Sequence, residues 1–301
     1  MKTSQYKHIL IIADIEGSSG CWTYEASRFR TREWAFACRM MSEDIAAVAK
    51  ALFECGVERV TIKDFHRTGF NILPEMIDPR ARLVSGYIKG PVPGIGDPEG
   101  ADAAMFIGMH AASGTGGFLA HTLTSRITSL EVNGEPVTEL ELFASSLAPY
   151  GLTPIFFSGC PVACDQARKV VKNIITHQID KTKKRDNFNA AAWRVSLAKK
   201  AAGSLTNRLC RFSAPVGPFR VTVSMRDGEK IAKKLSKRWG MRNSGSDILF
   251  EAGDMHTVYM QLIRICYLTP LIEKYSGAGL FLYNIYGRIG RVYVRRILKQ
   301  T

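Results

Sequence analysis

Long apolar runs are missing from this 301-residue chain. Its longest, such as Ile9–Ala13 and Ala103–Ile107, are strand-sized and well short of the roughly 20 residues a membrane-spanning helix needs. The first residues turn acidic at Asp14 and Glu16 directly after an apolar stretch. They therefore read as a first strand, not as a signal peptide. A disulfide framework is missing too: seven cysteines, an odd number, lie scattered through the chain. That pattern suggests reduced thiols and a cytoplasmic location. Cys160 and Cys164 stand four apart, a spacing of neither a redox pair nor a zinc ribbon, and read as structural. No internal repeat or low-complexity tract occurs.

Acidic residues are scarce in one half only. Residues 1–170 carry 16 Lys and Arg against 19 Asp and Glu, whereas residues 171–301 carry 25 against 8. A basic half can be a solvated surface, or can meet an acidic partner or an anionic membrane surface. No recognised nucleic-acid motif accompanies the charge, so nucleic acid is not an expected partner.

What is present is an alternation of strand and helix. His8–Ala13 is a compact apolar strand. From Thr31 to Cys55 apolar residues recur at three and four, as on a helix, and Gly56 suits its left-handed C-cap. Val57–Lys63, Arg82–Ser85 and Ala103–Gly108 read as further strands. Ser129–Val137 contains Asn133-Gly134, the strongest short hairpin signal. A helix from near Glu139, a strand at Ile155–Phe157 and a helix over Ala163–Thr176 follow. The basic stretch 178–211 reads as a boundary or insertion. Phe219–Met225 and Asp247–Glu251 are then strands, and Met255–Tyr267 a helix. In the tail from Leu271, aromatic and arginine-rich, an interfacial helix or an oligomer contact would both fit, and four glycines at 277, 279, 287 and 290 leave one long continuous helix undecided. The expected fold is α/β: a mostly parallel sheet with flanking helices over 1–177, plus a smaller α+β C-terminal unit over 178–301.

Chemistry-bearing residues sit at comparable places in this alternation. Asp14 and Glu16 follow the first strand, His66 the second, and His110 the buried strand ending at Gly108. Ligands of open α/β sheets collect outside the carboxyl ends of the strands. Asp14, Glu16, His66 and His110 thus reach one rim, where Glu139, at a helix start, could join. Taken singly, each is more often a turn, cap or hydrogen-bonded residue. Together they form the mixed imidazole and carboxylate set that suits a pair of divalent ions, zinc first and manganese or cobalt as substitutes. Asp14 and Glu16 are expected to point the same way because alternate residues of an extended segment share a face. His121, beyond the glycine-rich loop 113–117, could act as general acid or base. That loop lacks the dinucleotide fingerprint, and Ser18 and Ser19 lack a nucleophile elbow. His8, His177 and His256 read as structural.

With these residues assembled, the sequence resembles the zinc-dependent D-aminopeptidases of the DppA type. The matching pieces are Ala13-Asp14-Ile15-Glu16-Gly17-Ser18-Ser19-Gly20, Asp64-Phe65-His66, Gly108-Met109-His110-Ala111, His121, and Asn133-Gly134-Glu135-Pro136-Val137-Thr138-Glu139-Leu140. The resemblance implies two zinc ions per subunit, with Asp14 bridging and Glu16, His66, His110 and Glu139 completing the centre. It implies His121 as the catalytic residue, a ring-shaped homo-oligomer, and removal of N-terminal residues, typically D-alanine, from short peptides. The chain departs from the family at Gly159-Cys160-Pro161, where acidic residues often follow the glycine. Its basic stretch and its tail beyond about residue 270 look like additions. Two other readings remain at this level: a metallohydrolase of another amide or ester, and a non-enzymatic scaffold binding acidic partners through its basic half.

Overall fold

The computed structural model describes residues 4–182 and 185–300; Lys183 and Lys184 of the basic run lie outside them. Strand β1 (His8–Ala13) is buried along its whole length, as a strand covered on both faces must be. After a four-residue helix, α1 (Tyr24–Ser27), comes α2 (Arg32–Glu54). Thr31 starts α2 by accepting a hydrogen bond from the Trp34 N–H, satisfying one of the free donors of the first turn. Strand β2 (Arg59–Asp64) alternates apolar and polar residues, yet Val60 to Asp64 are all buried. Its polar members find internal partners instead of water: Thr61 Oγ1 lies 2.9 Å from His8 Nε2, and Lys63 Nζ donates to the Gly86 carbonyl.

Strands β3 (Arg82–Val84) and β4 (Ala103–Met109) follow, then the hairpin β5 (Ile127–Val132) and β6 (Glu135–Pro136). Asn133 and Gly134 turn it with φ of 54° and 87°, both left-handed, as the tight hairpin turn demands. Helix α3 (Glu139–Leu147) and strand β7 (Thr153–Gly159) come next. Helix α4 (Pro161–Val170) stops six residues earlier than the apolar spacing predicts, and the remainder forms strand β8 (Ile175–Gln178). Valine and isoleucine at 170, 171, 174 and 175 favour extended backbone, and Asn173, at φ 61°, turns the chain between the two elements.

Beyond β8 lie α5 (Ala190–Ser204), β9 (Phe219–Met225), α6 (Glu229–Trp239), β10 (Arg242–Ser244), β11 (Asp247–Ala252), α7 (Met255–Tyr267), α8 (Pro270–Lys274) and α9 (Ser276–Leu298). Helix α5, from the basic stretch, packs on α2, where Arg194 pairs with Glu43 at 2.8 Å and Asp44 at 3.0 Å. The tail is one 23-residue helix despite its glycines. Two of them are what let it lie down: a Cβ on Gly287 would come 2.3 Å from Phe70, and one on Gly290 equally close to Phe29. Close approach of the helix backbone to these rings offsets the glycine's low helix propensity. No helix among the described residues is long and apolar enough to cross a membrane.

Two sheets result. The first is parallel, in the order β3-β2-β1-β4-β7-β8. The second is antiparallel, in the order β10-β11-β9-β5-β6. The mixed α/β architecture expected from the sequence is present. In the first sheet the order reverses at β1, with β2 on one side and β4 on the other. In such sheets the crevice at the reversal is where ligands bind.

Candidate metal centre

The register of the parallel sheet brings the relevant residues to one edge. Ala13 pairs with Asp64 on one side and Ile107 on the other, so Asp14, His66 and His110 leave three adjacent strands at the same level. Glu16 arrives by a route other than the expected extended run. The Ser18 N–H donates to the Ile15 carbonyl at 3.0 Å, closing a turn, and the Gly17 N–H donates to the Gly108 carbonyl at 2.7 Å. The two glycines make this crossing possible: a Cβ at Gly17 would lie 2.3 Å from the Met109 carbonyl oxygen, and one at Gly108 2.1 Å from that of Asp14. The turn folds Glu16 back beside Asp14. Glu139 opens α3, whose N-cap Thr138 accepts from the Glu141 N–H at 3.1 Å, and the positive end of that helix favours its carboxylate.

All five side chains are buried and converge. His66 Nδ1 lies 3.1 Å from Asp14 Oδ1 and 3.1 Å from Glu16 Oε2. On the other side, His110 Nε2 lies 3.3 Å from Asp14 Oδ2 and 3.4 Å from Glu139 Oε1. Asp14 therefore offers one oxygen to each imidazole. His121 stacks on His110 with ring centres 3.8 Å apart, so all six candidates named from the sequence occupy one cluster.

Backbone carbonyls fix the rings. Ser27 lies 3.0 Å from His66 Nε2, Ala111 3.1 Å from His110 Nδ1, and Leu119 2.7 Å from His121 Nδ1. Each carbonyl takes the N–H of its ring and leaves the other nitrogen's lone pair for the cluster, as the outer partners of metal-bound histidines do. The Leu123 N–H donates to Glu139 Oε1 at 2.7 Å. Asn71 bonds both the Asp64 carboxylate and the His66 carbonyl, bracing the loop that follows β2.

Charge in this space is unbalanced in favour of a cation. Burial by itself would raise the Asp14 pKa, yet the imidazoles of His110 and His66 beside it hold it well below the usual carboxylate range. Burial likewise opposes charge on His66, but Glu16 and Asp14 push its pKa up to about 10. Glu139 and Asp14 overcome burial at His110 in the same way. His121 goes the other way: burial and the neighbouring His110 lower it. Glu16 Oε2 and His110 Nε2 have no hydrogen-bond partner, a costly condition for buried polar atoms. Two groups of three, Asp14-Glu16-His110 and His110-His121-Glu139, bring ligand atoms within 4.8 Å of one another. Orphaned donor atoms, buried carboxylates and oriented imidazoles together fit divalent metal binding.

One contributor escaped the sequence reading. Lys181, directly past β8, donates to the carbonyls of Ser18 and Cys21 at 2.5 and 2.6 Å. Its ammonium also faces the rings of Trp22 at 4.4 Å and Phe118 at 5.6 Å. It ties the loop carrying Glu16 to the loop preceding His121. Its place beyond a strand end was the available signal, hidden because β8 reads as the end of a helix.

The chain is similar to known proteins. Residues 8–263 match the peptidase family M55, described as D-aminopeptidase. A D-aminopeptidase of Bacillus subtilis (strain 168) is 25% identical over 258 residues, covering 83% of this chain and 93% of that protein. The solved structure of the Zn-dependent D-aminopeptidase DppA from Bacillus subtilis, a self-compartmentalizing protease, matches with a TM-score of 0.76. That match covers 85% of this chain and 96% of the other at 22% identity, a likeness of fold.

Proposed function

The chain belongs to the D-aminopeptidase family of peptidases, and from that premise we propose that it removes N-terminal D-amino acids from short peptides at a centre of two zinc ions. The observation that carries this reading is the placement of Asp14, one oxygen 3.1 Å from His66 Nδ1 and the other 3.3 Å from His110 Nε2. A carboxylate so placed suits a bridge, with Glu16, His66, His110 and Glu139 completing the set. When bound, paired zinc ions polarise a carbonyl, lower the pKa of water and hold a free amine.

The chain's own residues supply the rest. Carbonyl contacts at Ser27 and Ala111 keep the ligand imidazoles in their tautomers. His121, its Nδ1–H engaged by Leu119, keeps the Nε2 lone pair free. Its lowered pKa leaves it neutral near pH 7, ready to accept a proton from the attacking water and return it to the leaving amine. Buried walls exclude bulk water and strengthen each of these interactions. A ring-shaped homo-oligomer enclosing the sites would restrict access to short peptides. A cytoplasmic setting agrees with seven unpaired cysteines.

The test is metal analysis of the purified protein together with hydrolysis of D-Ala and L-Ala dipeptides, before and after chelation. The reading requires two zinc ions per chain, faster cleavage of the D-Ala peptide, and loss of activity on chelation restored by zinc. Metal-free protein that cleaves at full rate refutes it.

A further inference from the structure

The family match ends at residue 263, and α8 and α9 lie beyond it. The inner side of α9 is fixed to the core through Gly287, Gly290 and Val294, which are buried, and through Asn284, whose amide pairs with both backbone groups of Tyr87. Its outer side is apolar and open. Phe281, Leu282, Ile289 and Val292 are each more than half exposed, and Ile285 is 39% exposed.

These residues are ordered. Tyr275, Ala278, Leu282, Ile285, Ile289, Val292 and Arg296 follow one another at alternating steps of three and four, the seam of a helix that pairs with another helix. We infer that this seam is a contact between two copies of the chain, with the two α9 helices packed antiparallel about a twofold axis near Gly287.

Three observations favour a second copy as the occupant. The first is the seam's period: a strict three-four repeat matches a facing helix, for which a lipid surface has no requirement. The second is area. Leu271, Ile272, Phe281, Leu282, Ile289 and Val292 are all exposed along α8 and α9, an extended apolar surface of the kind a stable interface between two chains covers. The third is charge. Residues 276–287 carry none, whereas Arg288, Arg296 and Lys299 lie in the last three turns; Arg291 and Arg295 beside them are engaged within the chain by Ser85 and Glu75. Parallel pairing would stack these cations. Antiparallel pairing sets each basic end beside the partner's uncharged half, with Leu282 opposite Val292, Ile285 opposite Ile289, Ala278 opposite Arg296, and Tyr275 opposite Lys299. Because the inner face is already fixed, the seam is presented in a preorganised form, which lowers the entropic cost of association.

The experiment compares native mass by light scattering for the full chain and for a variant carrying Ile285→Glu and Ile289→Glu. The variant is expected to form a particle at least twofold lighter, with unchanged circular dichroism. A chain with Leu282→Cys and Val292→Cys should cross-link to a covalent dimer under mild oxidation, whereas Leu282→Cys alone should not. This arm decides the matter even where the glutamate variant fails to fold. Unchanged mass in a folded glutamate variant, absence of the cross-link in the double-cysteine chain, or a dimer from Leu282→Cys alone overturns the inference. So does flotation of the wild type with phosphatidylglycerol–phosphatidylcholine vesicles that is lost on the glutamate substitutions while mass stays constant.

Discussion

The rings of His110 and His121 lie stacked, 3.8 Å apart and 14° from parallel, yet their surroundings drive their protonation in opposite directions. His110 faces two carboxylates, Asp14 and Glu139; His121 is buried and its Nδ1 is engaged by the Leu119 carbonyl. The proposed function gives the two rings different work, His110 as a ligand and His121 as a proton carrier.

Substitution should separate these roles. His110→Ala is expected to lose bound metal and turnover together. His121→Ala should keep its metal and lose about 100-fold or more in kcat, the scale of a positioned general base. Metal content by mass spectrometry, beside kcat on a D-Ala dipeptide, checks both. A His121 variant with normal turnover would remove that residue from the mechanism.

Lys181 should matter despite touching none of the six cluster residues. Lys181→Met removes two hydrogen bonds to the loop carrying Glu16, and the expected result is a loss in metal affinity or activity of up to the roughly 10–100-fold found for groups bonded directly to metal ligands. Chelator competition measures the affinity. Unchanged affinity and unchanged kcat would make the clamp irrelevant to the centre.

Stability should fall on mild acidification partly through His177. Burial, then the charge of Lys200, push its pKa down to about 4 from an ordinary 6.5. Above pH 6.5 the ring is neutral whether the chain is folded or not, and it contributes no pH dependence. Between 6.5 and 4 the unfolded chain binds a proton that the native ring refuses, so stability drops as pH falls. Urea midpoints at pH 7 and pH 5 should differ more for wild type than for His177→Gln. Equal differences in the two proteins would contradict the account.

Glycines within α9 should respond oppositely to alanine. Gly290→Ala gains about 1 kcal/mol of helix propensity but drives a methyl into Phe29, for an overpacking cost of about 1–3 kcal/mol, so the net effect is destabilising. Gly279→Ala meets nothing closer than 3.5 Å and should stabilise by up to about 1 kcal/mol. Thermal unfolding of the two variants, read against wild type, tests the sign of each.

Helix α4 and helix α9 show where periodicity misleads. Over 163–176 apolar spacing alone cannot distinguish a helix from a helix followed by an edge strand, and β-branched residues decided in favour of β8. In the tail the glycine count left a long helix undecided, and Phe29 and Phe70, which need small neighbours, settle it. Both outcomes depend on packing against segments far away in the chain.

From the sequence alone came the alternation of strands and helices, the Asn133-Gly134 turn, and the six residues Asp14, Glu16, His66, His110, His121 and Glu139. Those features are local: they follow from side-chain period, cap chemistry and residue type at strand ends. Tertiary structure alone decided that the sheet order reverses at β1, that Glu16 swings back on a turn across Gly108, and that carbonyls of Ser27, Ala111 and Leu119 orient the imidazoles. It also brought Lys181 to the loop beyond Glu16. These contacts join segments up to 163 residues apart, and strand register and backbone crossing set them; hydrophobic period carries no record of either.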